Sequence, residues 1–313
     1  MYFERRPYPS HRMNRETNLP NQKLLRVIIT MAQFTNQATL QYGGMTTSSN
    51  VAVGELIAVL TATKTAISTS YNGEGSVVYA VSVVNAGTTA FTGVTVRDNL
   101  GAYTFGAQTL YPLTYTAGSL KYYVNGVLQS TAPTIAAGPP LSISGITVPA
   151  GGNITLIYEA AVNQYAPLGA GSSITNTVTV TADGLTVPLT DTATVNAESA
   201  ARLTIAKAIC PVTVTEKGEV TYTFIIQNHG NTAVTEGIVI SDTFDPILTN
   251  LAVTFNGAAW TAPTNYTYEA ATGEFATVAG NVTVPAATYT QDTATGRWSV
   301  TPGTSTLMVK GTI

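Results

Sequence analysis

The chain has 313 residues, enough for two domains of ordinary size. Charged residues make up only 10% and the net charge is −3, so we expect no nucleic-acid partner. Two histidines, one cysteine and no long apolar run predict neither an enzyme, a metal site, a cofactor nor a transmembrane segment.

Residues 1–30 differ from the rest of the chain in charge. They hold six of the 14 basic residues and two of the 17 acidic ones. The apolar run at 24–29 is short, is interrupted by Arg26 and precedes no small-residue cleavage site, unlike a secretory signal. We therefore expect a basic leader, untranslated or disordered, with Met31 as the true start. A basic targeting tail is the alternative.

The rest of the chain contains two similar segments at a constant offset of 143 residues. Leu60-Thr-Ala-Thr-Lys64 recurs as Leu203-Thr-Ile-Ala-Lys207. The further recurring positions are Gly75, Val77, Tyr79, Asn85 and Gly87, which match Gly218, Val220, Tyr222, Asn228 and Gly230, and, one residue out of register, Asp98 and Asp242.

Within each copy, apolar residues alternate with small or polar ones. Val77, Tyr79 and Val81 do so in the first copy, and Val220 and Tyr222 in the second, as is typical of half-buried strands. The Asn-x-Gly pairs that follow are turn signals. The pattern predicts an all-β fold of two tandem β-sandwich domains, 58–198 and 199–313.

The pattern Lys…Gly-x-Val-x-Tyr…Asn-x-Gly…Val-x-Asp…Asn-Thr-x-Thr-Val resembles a bacterial surface-repeat family, the domain of unknown function number eleven. The resemblance extends over both copies. It implies immunoglobulin-like modules of the kind found in adhesins, surface stalks and the ribbon appendages of some clostridial spores. An extracellular, spore-surface or cell-surface location is therefore expected.

The two copies end differently. Copy one continues into two further strands, at 173–180 and 189–195. In copy two the strand 306–309 is followed only by 310–313. A sandwich without its last hairpin exposes unpaired backbone groups and an apolar groove. Copy two is therefore expected to recruit strands from elsewhere.

A matching hairpin precedes copy one, in residues 31–57. Phe34-Thr-Asn36-Gln-Ala38-Thr-Leu40 resembles Ile174-Thr-Asn176-Thr-Val178-Thr-Val180, and both are followed by a turn containing glycine. We interpret Phe34, Asn36, Ala38 and Leu40 as donor-strand residues that fill copy two of a neighbouring subunit. Because donor and acceptor surfaces differ, the contact would propagate head to tail as a homopolymer.

Two other arrangements of this hairpin remain open. It could pack on copy one as an ordinary flanking hairpin. It could also fold back to close copy two of its own chain, although the linker is short for that reach.

Copy two also carries features that suit a different function. Its aromatic residues, Trp260, Trp298, Tyr266, Tyr268 and Tyr289, could form a sugar-binding platform, but they fit sandwich core and rim better. The alternative function is a monomeric surface adhesin that binds glycan or protein through copy two. We expect the lone Cys210 to be a small buried residue, with a disulfide between filaments as the alternative.

One constellation could carry chemistry. In related fimbrial and surface modules, a lysine on the opening strand and an asparagine on the last strand form an isopeptide bond beside an acidic residue. The resemblance implies Lys64–Asn176 with Asp98 in copy one, and Lys207 with Asn36 of the next subunit and Asp242 in copy two. Such a bond requires a buried site that favours a neutral amine. The alternative is that Lys64 and Lys207 lie exposed, or that they form simple ion pairs with Asp98 and Asp242.

Overall fold

The computed structural model describes residues 32–56 and 59–313, so the predicted leader lies outside the described residues. All regular structure in these two ranges is β, which confirms the all-β prediction. No helix that could cross a membrane occurs in these ranges. The chain divides into two compact units, with the boundary between residues 58 and 59.

The described part of the first unit is a hairpin, here called the N-terminal hairpin. Its strands are β1 (Ala32–Asn36), β2 (Thr39–Tyr42), β3 (Met45–Ser48) and β4 (Ala52–Leu56). Strand β1 pairs with β4 and β2 with β3, all antiparallel. Gly43 and Gly44 both have positive φ, as a two-residue turn of the hairpin type requires.

The second unit begins with a β-sandwich, here called the first sandwich. Its strands are β5 (Leu60–Ala66), β6 (Ser70–Tyr71), β7 (Ser76–Asn85), β8 (Phe91–Asp98), β9 (Tyr103–Phe105), β10 (Gln108–Leu110), β11 (Leu113–Tyr115), β12 (Lys121–Val124), β13 (Val127–Leu128), β14 (Thr134–Ala136), β15 (Leu141–Val148), β16 (Asn153–Val162), β17 (Ser173–Thr181) and β18 (Leu189–Ala197). One sheet has the order β13-β12-β16-β7-β5, with β11 also on β16, and the other has the order β14-β15-β8-β17-β18-β6. Alternate residues of β7 and β16 are buried, so the core lies between the sheets.

The remaining strands form the second sandwich. They are β19 (Leu203–Cys210), β20 (Glu219–Asn228), β21 (Val234–Ile238), β22 (Ser241–Thr243), β23 (Thr249–Phe255), β24 (Ala258–Trp260), β25 (Tyr266–Glu269), β26 (Glu274–Thr277), β27 (Val282–Val284), β28 (Thr288–Gln291), β29 (Trp298–Thr301) and β30 (Gly303–Thr312). One sheet has the order β19-β20-β30-β23-β24. Facing it are smaller sheets, β21-β27 and β22-β26-β25, while β28 and β29 form a separate hairpin. The core lies between the five-stranded sheet and these smaller sheets and includes Phe244, Phe275 and Leu307.

Hydrogen bonds join the two sandwiches inside the second unit. The backbone N–H of Trp298 donates to the carbonyl oxygen of Gln164 at 2.9 Å. The Gln291 amide donates to the Tyr103 hydroxyl at 3.0 Å, and the Asn231 amide donates to the carbonyl oxygen of Leu168 at 3.0 Å. The β28–β29 hairpin therefore ties the second sandwich to the first.

Candidate functional site

Three polar side chains meet inside the first sandwich, and we call them the first lysine site. Lys64 lies on the same face of β5 as Leu60, Asp98 ends β8, and Asn176 lies on β17. Because side chains alternate along a strand, these positions point all three toward the core. Lys64, Asp98 and Asn176 are 4%, 1% and 0% exposed, respectively. The structure thus brings together the three residues that the sequence predicted for copy one.

The lysine amine and the asparagine amide both contact the same carboxylate oxygen. Lys64 Nζ forms a buried ion pair and hydrogen bond with Asp98 Oδ2. Asn176 Nδ2 donates to that oxygen at 3.4 Å, while its Oδ1 accepts from the backbone N–H of Gly101 at 3.2 Å. The other carboxylate oxygen, Asp98 Oδ1, accepts from the backbone N–H of Leu100 at 2.7 Å. The carboxylate therefore holds the amine beside the carboxamide.

Aromatic rings enclose this amine. Lys64 Nζ lies 4.4 Å from the ring centroid of Tyr79 and 5.7 Å from that of Tyr158. Burial lowers the pKa of Lys64, against the opposing Coulombic effects of Asp98 and Asp191. A lowered pKa increases the fraction of neutral amine, which is the form that can attack a carboxamide.

The second sandwich repeats two members of this site, Lys207 and Asp242, which we call the second lysine site. Lys207 Nζ forms an ion pair with Asp242 Oδ2 and lies 4.6 Å from the ring centroid of Tyr222. The Lys207 side chain is 41% exposed, whereas that of Lys64 is fully buried. No asparagine in residues 59–313 hydrogen-bonds to Asp242. The site is therefore a pair, with one side open.

The opening lies where the first sandwich has its last two strands. In the first sandwich, β17 pairs with β8, and Asp191 of β18 accepts the backbone N–H of Lys64 at 2.7 Å. In the second sandwich, β21 and β22 each pair along one edge only within residues 59–313. We call these free edges, together with the lysine-bearing face of β19, the open edge.

The open edge exposes apolar side chains. Leu203, Ile205 and Ile209 share the face of β19 with Lys207, and Ile205 is 57% exposed. Leu203 is 41% exposed, whereas its counterpart Leu60 is 2% exposed. Asp242 also lines an open depression of about 580 Å³ on the sheet formed by β22, β26 and β25. This face lacks the cover that β17 and β18 give the first sandwich.

The N-terminal hairpin repeats one cross-strand pair of the β17–β18 hairpin. Asn36 pairs with Ala52, as Asn176 pairs with Ala193. Leu40 is 64% exposed, whereas the corresponding Val180 in the first sandwich is fully buried.

Two more of the predicted donor residues, Ala38 and Phe34, lie in the N-terminal hairpin. Ala38 is exposed, and Phe34 belongs to β1, although its side chain lies outside the described residues. The pairing in the N-terminal hairpin is irregular between the β1–β4 ladder and the β2–β3 ladder, where the Ser49 N–H donates to the Ala38 carbonyl oxygen. The β17–β18 pairing has no such irregularity.

Two further sequence predictions have different outcomes. Trp260 stacks on Phe255 with centroids 4.8 Å apart, and Tyr266 stacks on Phe275 at 5.3 Å, so these rings are packed. The prediction that Cys210 is buried is wrong, because it ends the exposed strand β19 and is itself exposed. Across the described ranges no cluster of three or more His, Cys, Asp or Glu residues is placed to hold a metal.

Sequence reasoning missed Tyr158. Its hydroxyl hydrogen-bonds to Asp98 Oδ2 and accepts a hydrogen bond from Lys64 Nζ at 3.1 Å. Tyr158 lies directly opposite Tyr79 on the neighbouring strand β16. The alternation of apolar residues along β16 is a signal for an inward side chain at this position, but it does not indicate contact with the lysine.

Comparison with known proteins gives only distant likenesses. The sequence matches no protein-family model and no curated protein. The pilus backbone protein RrgB of Streptococcus pneumoniae is similar with a TM-score of 0.32 and 10% identity over 78% of this chain, which spans about half of that protein (55%). BcpA, the major pilin subunit of Bacillus cereus, gives a TM-score of 0.33 and 10% identity over 87% of this chain and 73% of BcpA. The collagen adhesin CNA of S. aureus gives a TM-score of 0.29 and 11% identity over 48% of this chain and 55% of the adhesin. These scores are too low to support a functional argument, and the fold rests on the chain's own strand pairing.

Proposed function

We propose that this chain is a structural subunit of a bacterial filament at a cell or spore surface. The N-terminal hairpin of one chain completes the second sandwich of the next, so that the chains link head to tail. The observation that carries the proposal is the pair of matching halves. The open edge exposes Lys207 and its neighbours, while the N-terminal hairpin repeats the Asn–Ala pairing that covers Lys64 in the first sandwich.

Burial of apolar surface supplies the driving force for this assembly. Leu203 and Ile205 on the open edge and Leu40 on the hairpin are exposed in the free chain. Burying such side chains fully contributes about 1.5–3 kcal/mol each. Strand pairing would also satisfy the free backbone groups of β21 and β22. Because the two surfaces differ, each added chain presents a new open edge and the polymer grows.

The lysine sites would lock this structure covalently. In the first sandwich, Lys64 Nζ attacks the Asn176 carboxamide carbon, a new C–N bond forms and the old one breaks. One proton passes from the lysine nitrogen to the departing nitrogen, which leaves as ammonia. Asp98 Oδ2 contacts both nitrogens and would carry that proton. In the second sandwich, Lys207 and Asp242 would react in the same way with Asn36 of the neighbouring chain.

Electron microscopy of two chains tests the assembly. The full chain is expected to form filaments, and residues 59–313 alone are expected to stay monomeric, because they lack the donor hairpin. Residues 59–313 are suitable for this comparison because they form a compact unit of their own. Monomers from both chains would contradict the proposal and favour the adhesin alternative.

A boiled denaturing gel of the same filaments tests the covalent link. A ladder of multimers is expected from the wild-type chain, and none from Lys207→Met, although its filaments still form. The matched control is Lys310→Met, since Lys310 is also an exposed, ion-paired lysine of the second sandwich. Filaments that dissolve to monomers without any substitution would contradict the intersubunit bond and leave the hairpin donation standing.

A further inference from the structure

The first lysine site contains a hydroxyl group that has no counterpart hydrogen-bonded to Lys207 or Asp242 within residues 59–313. Tyr158 Oη donates a hydrogen bond to Asp98 Oδ2 and accepts one from Lys64 Nζ at 3.1 Å. It therefore touches both the amine that would attack and the carboxylate that would carry the proton.

The strand register identifies the equivalent position in the second sandwich. Tyr79 pairs with Tyr158 across β7 and β16, and Tyr222 pairs with Val309 across β20 and β30. Val309 is fully buried and has no polar group. Lys207 and Asp242 thus have the aromatic neighbour Tyr222, but no hydroxyl in place of that of Tyr158.

The Tyr158 hydroxyl is suited to relay a proton without ionising. Burial raises its pKa well above the ordinary value, and the nearby Asp98 raises it further. The phenol therefore stays protonated, accepts from the amine with its oxygen and donates to the carboxylate with its proton. This arrangement fixes the amine and offers a second route by which a proton can pass from Nζ to Asp98.

We propose that Tyr158 is a catalytic residue of the first lysine site. At the second site Val309 occupies the equivalent position, so bond formation there is slower. This inference rests on the bond chemistry given under the proposed function. As Nζ attacks the Asn176 carbon, the phenol oxygen takes a proton from Nζ and the phenol passes its own proton to Asp98. The carboxylic acid then protonates the departing nitrogen, ammonia leaves, and Tyr158 and Asp98 regain their starting states.

The difference in rate would set the order in which the two covalent bonds form. The first sandwich closes covalently on its own β17–β18 hairpin soon after folding. Its hairpin can then no longer be displaced by the similar N-terminal hairpin of another chain. The second site remains unbonded for longer, so chains can pair and exchange before the link becomes permanent.

Refolding kinetics of the full chain test this role. Chains that have not yet folded are kept unfolded in urea and are then refolded by dilution. The intact mass of the chain is followed over time, because bond formation at the first site removes one ammonia. Tyr158→Phe is expected to reach the wild-type end-point with a rate constant on the order of tenfold lower, because it loses a hydrogen bond to charged groups. A merely structural role would instead leave part of the chains unbonded at an unchanged rate constant.

The matched control is Tyr115→Phe. Tyr115 is a buried neighbour whose ring centroid lies 6.5 Å from that of Tyr158, and its hydroxyl has no hydrogen-bond partner in the described part of the chain. This variant should react at the wild-type rate. Equal rates for Tyr158→Phe and the wild type would overturn the inference alone. An unmodified wild-type mass would overturn the bond chemistry and this inference together, with filament formation unaffected.

Discussion

At the scale of single residues, the two lysine–aspartate pairs differ in burial as well as in contacts. Lys64 and Asp98 are almost fully buried, whereas the side chain of Lys207 is 41% exposed. A buried charge that loses its partner is costly, while an exposed pair contributes little because water solvates both groups.

The two aspartates should therefore differ in their effect on stability. In an Asn176→Ala background, where no bond can form, Asp98→Ala leaves the Lys64 amine without its carboxylate and is expected to lower the free energy of unfolding by about 3–5 kcal/mol. Asp242→Ala in a chain kept monomeric should cost about 1 kcal/mol or less. Urea unfolding of the two variants gives the comparison. Equal losses of unfolding free energy would contradict the expectation that burial makes the first ion pair more important for stability.

The lowered pKa of Lys64 predicts how bond formation depends on pH. Only the neutral amine attacks, so the rate rises with pH while the amine loses its proton and levels off above its pKa. Because burial lowers this pKa below 10.5, the rate should level off below pH 10.5. Intact mass during refolding at a series of pH values measures the profile. A rate still rising at pH 10.5, or one that falls with increasing pH, would contradict the assignment of Lys64 as the nucleophile.

The sequence predicted some of these residues and not others, for a physical reason. Lys64, Asp98 and Asn176 were found because the repeat and the family resemblance mark them. Tyr158 was missed because its neighbours at the site come from strands distant in the sequence, and alternation alone gives only its inward orientation. The burial of Cys210 was predicted from residue type, but exposure depends on whether another strand covers β19.

At the scale of strands, the contrast between β17–β18 and the N-terminal hairpin carries the argument. The sequence predicted both hairpins, because the segment 34–40 resembles the segment 174–180 and each is followed by a turn containing glycine. The irregularity near Ser49 was not predicted, since a single extra residue on one strand leaves little trace in such a pattern. The sequence also did not predict that the second sandwich has two short strands, β21 and β22, where the first sandwich has the single strand β8.

The two faces of the N-terminal hairpin give a prediction at this scale. Leu40 corresponds to the buried Val180, so Leu40→Asp should prevent docking and leave the chain monomeric. Gln41 corresponds to Thr181, which is exposed, so Gln41→Asp should still form filaments with the same added charge. Both positions are exposed in the free hairpin, and neither change should destabilise the monomer. Filament counts by electron microscopy decide the outcome, and equal assembly of both variants would exclude the proposed docking face.

At the scale of the whole molecule, the first and second sandwiches are joined to each other. Hydrogen bonds from Trp298 and Gln291 tie the second sandwich to the first, which would transmit load along a filament. The repeat predicted two sandwiches, but these joining contacts come from β28 and β29, which no feature of the repeat marks.

The most direct test of hairpin donation mixes two chains that each lack one half of the contact. Leu40→Asp disables the donor, and Ile205→Asp, at an exposed position of β19, disables the open edge. Each variant alone should remain monomeric. The mixture should form one-to-one dimers and nothing larger, because only one working donor and one working edge remain. Mass photometry measures these species directly. A mixture that stays monomeric, or filaments from either variant alone, would contradict the account.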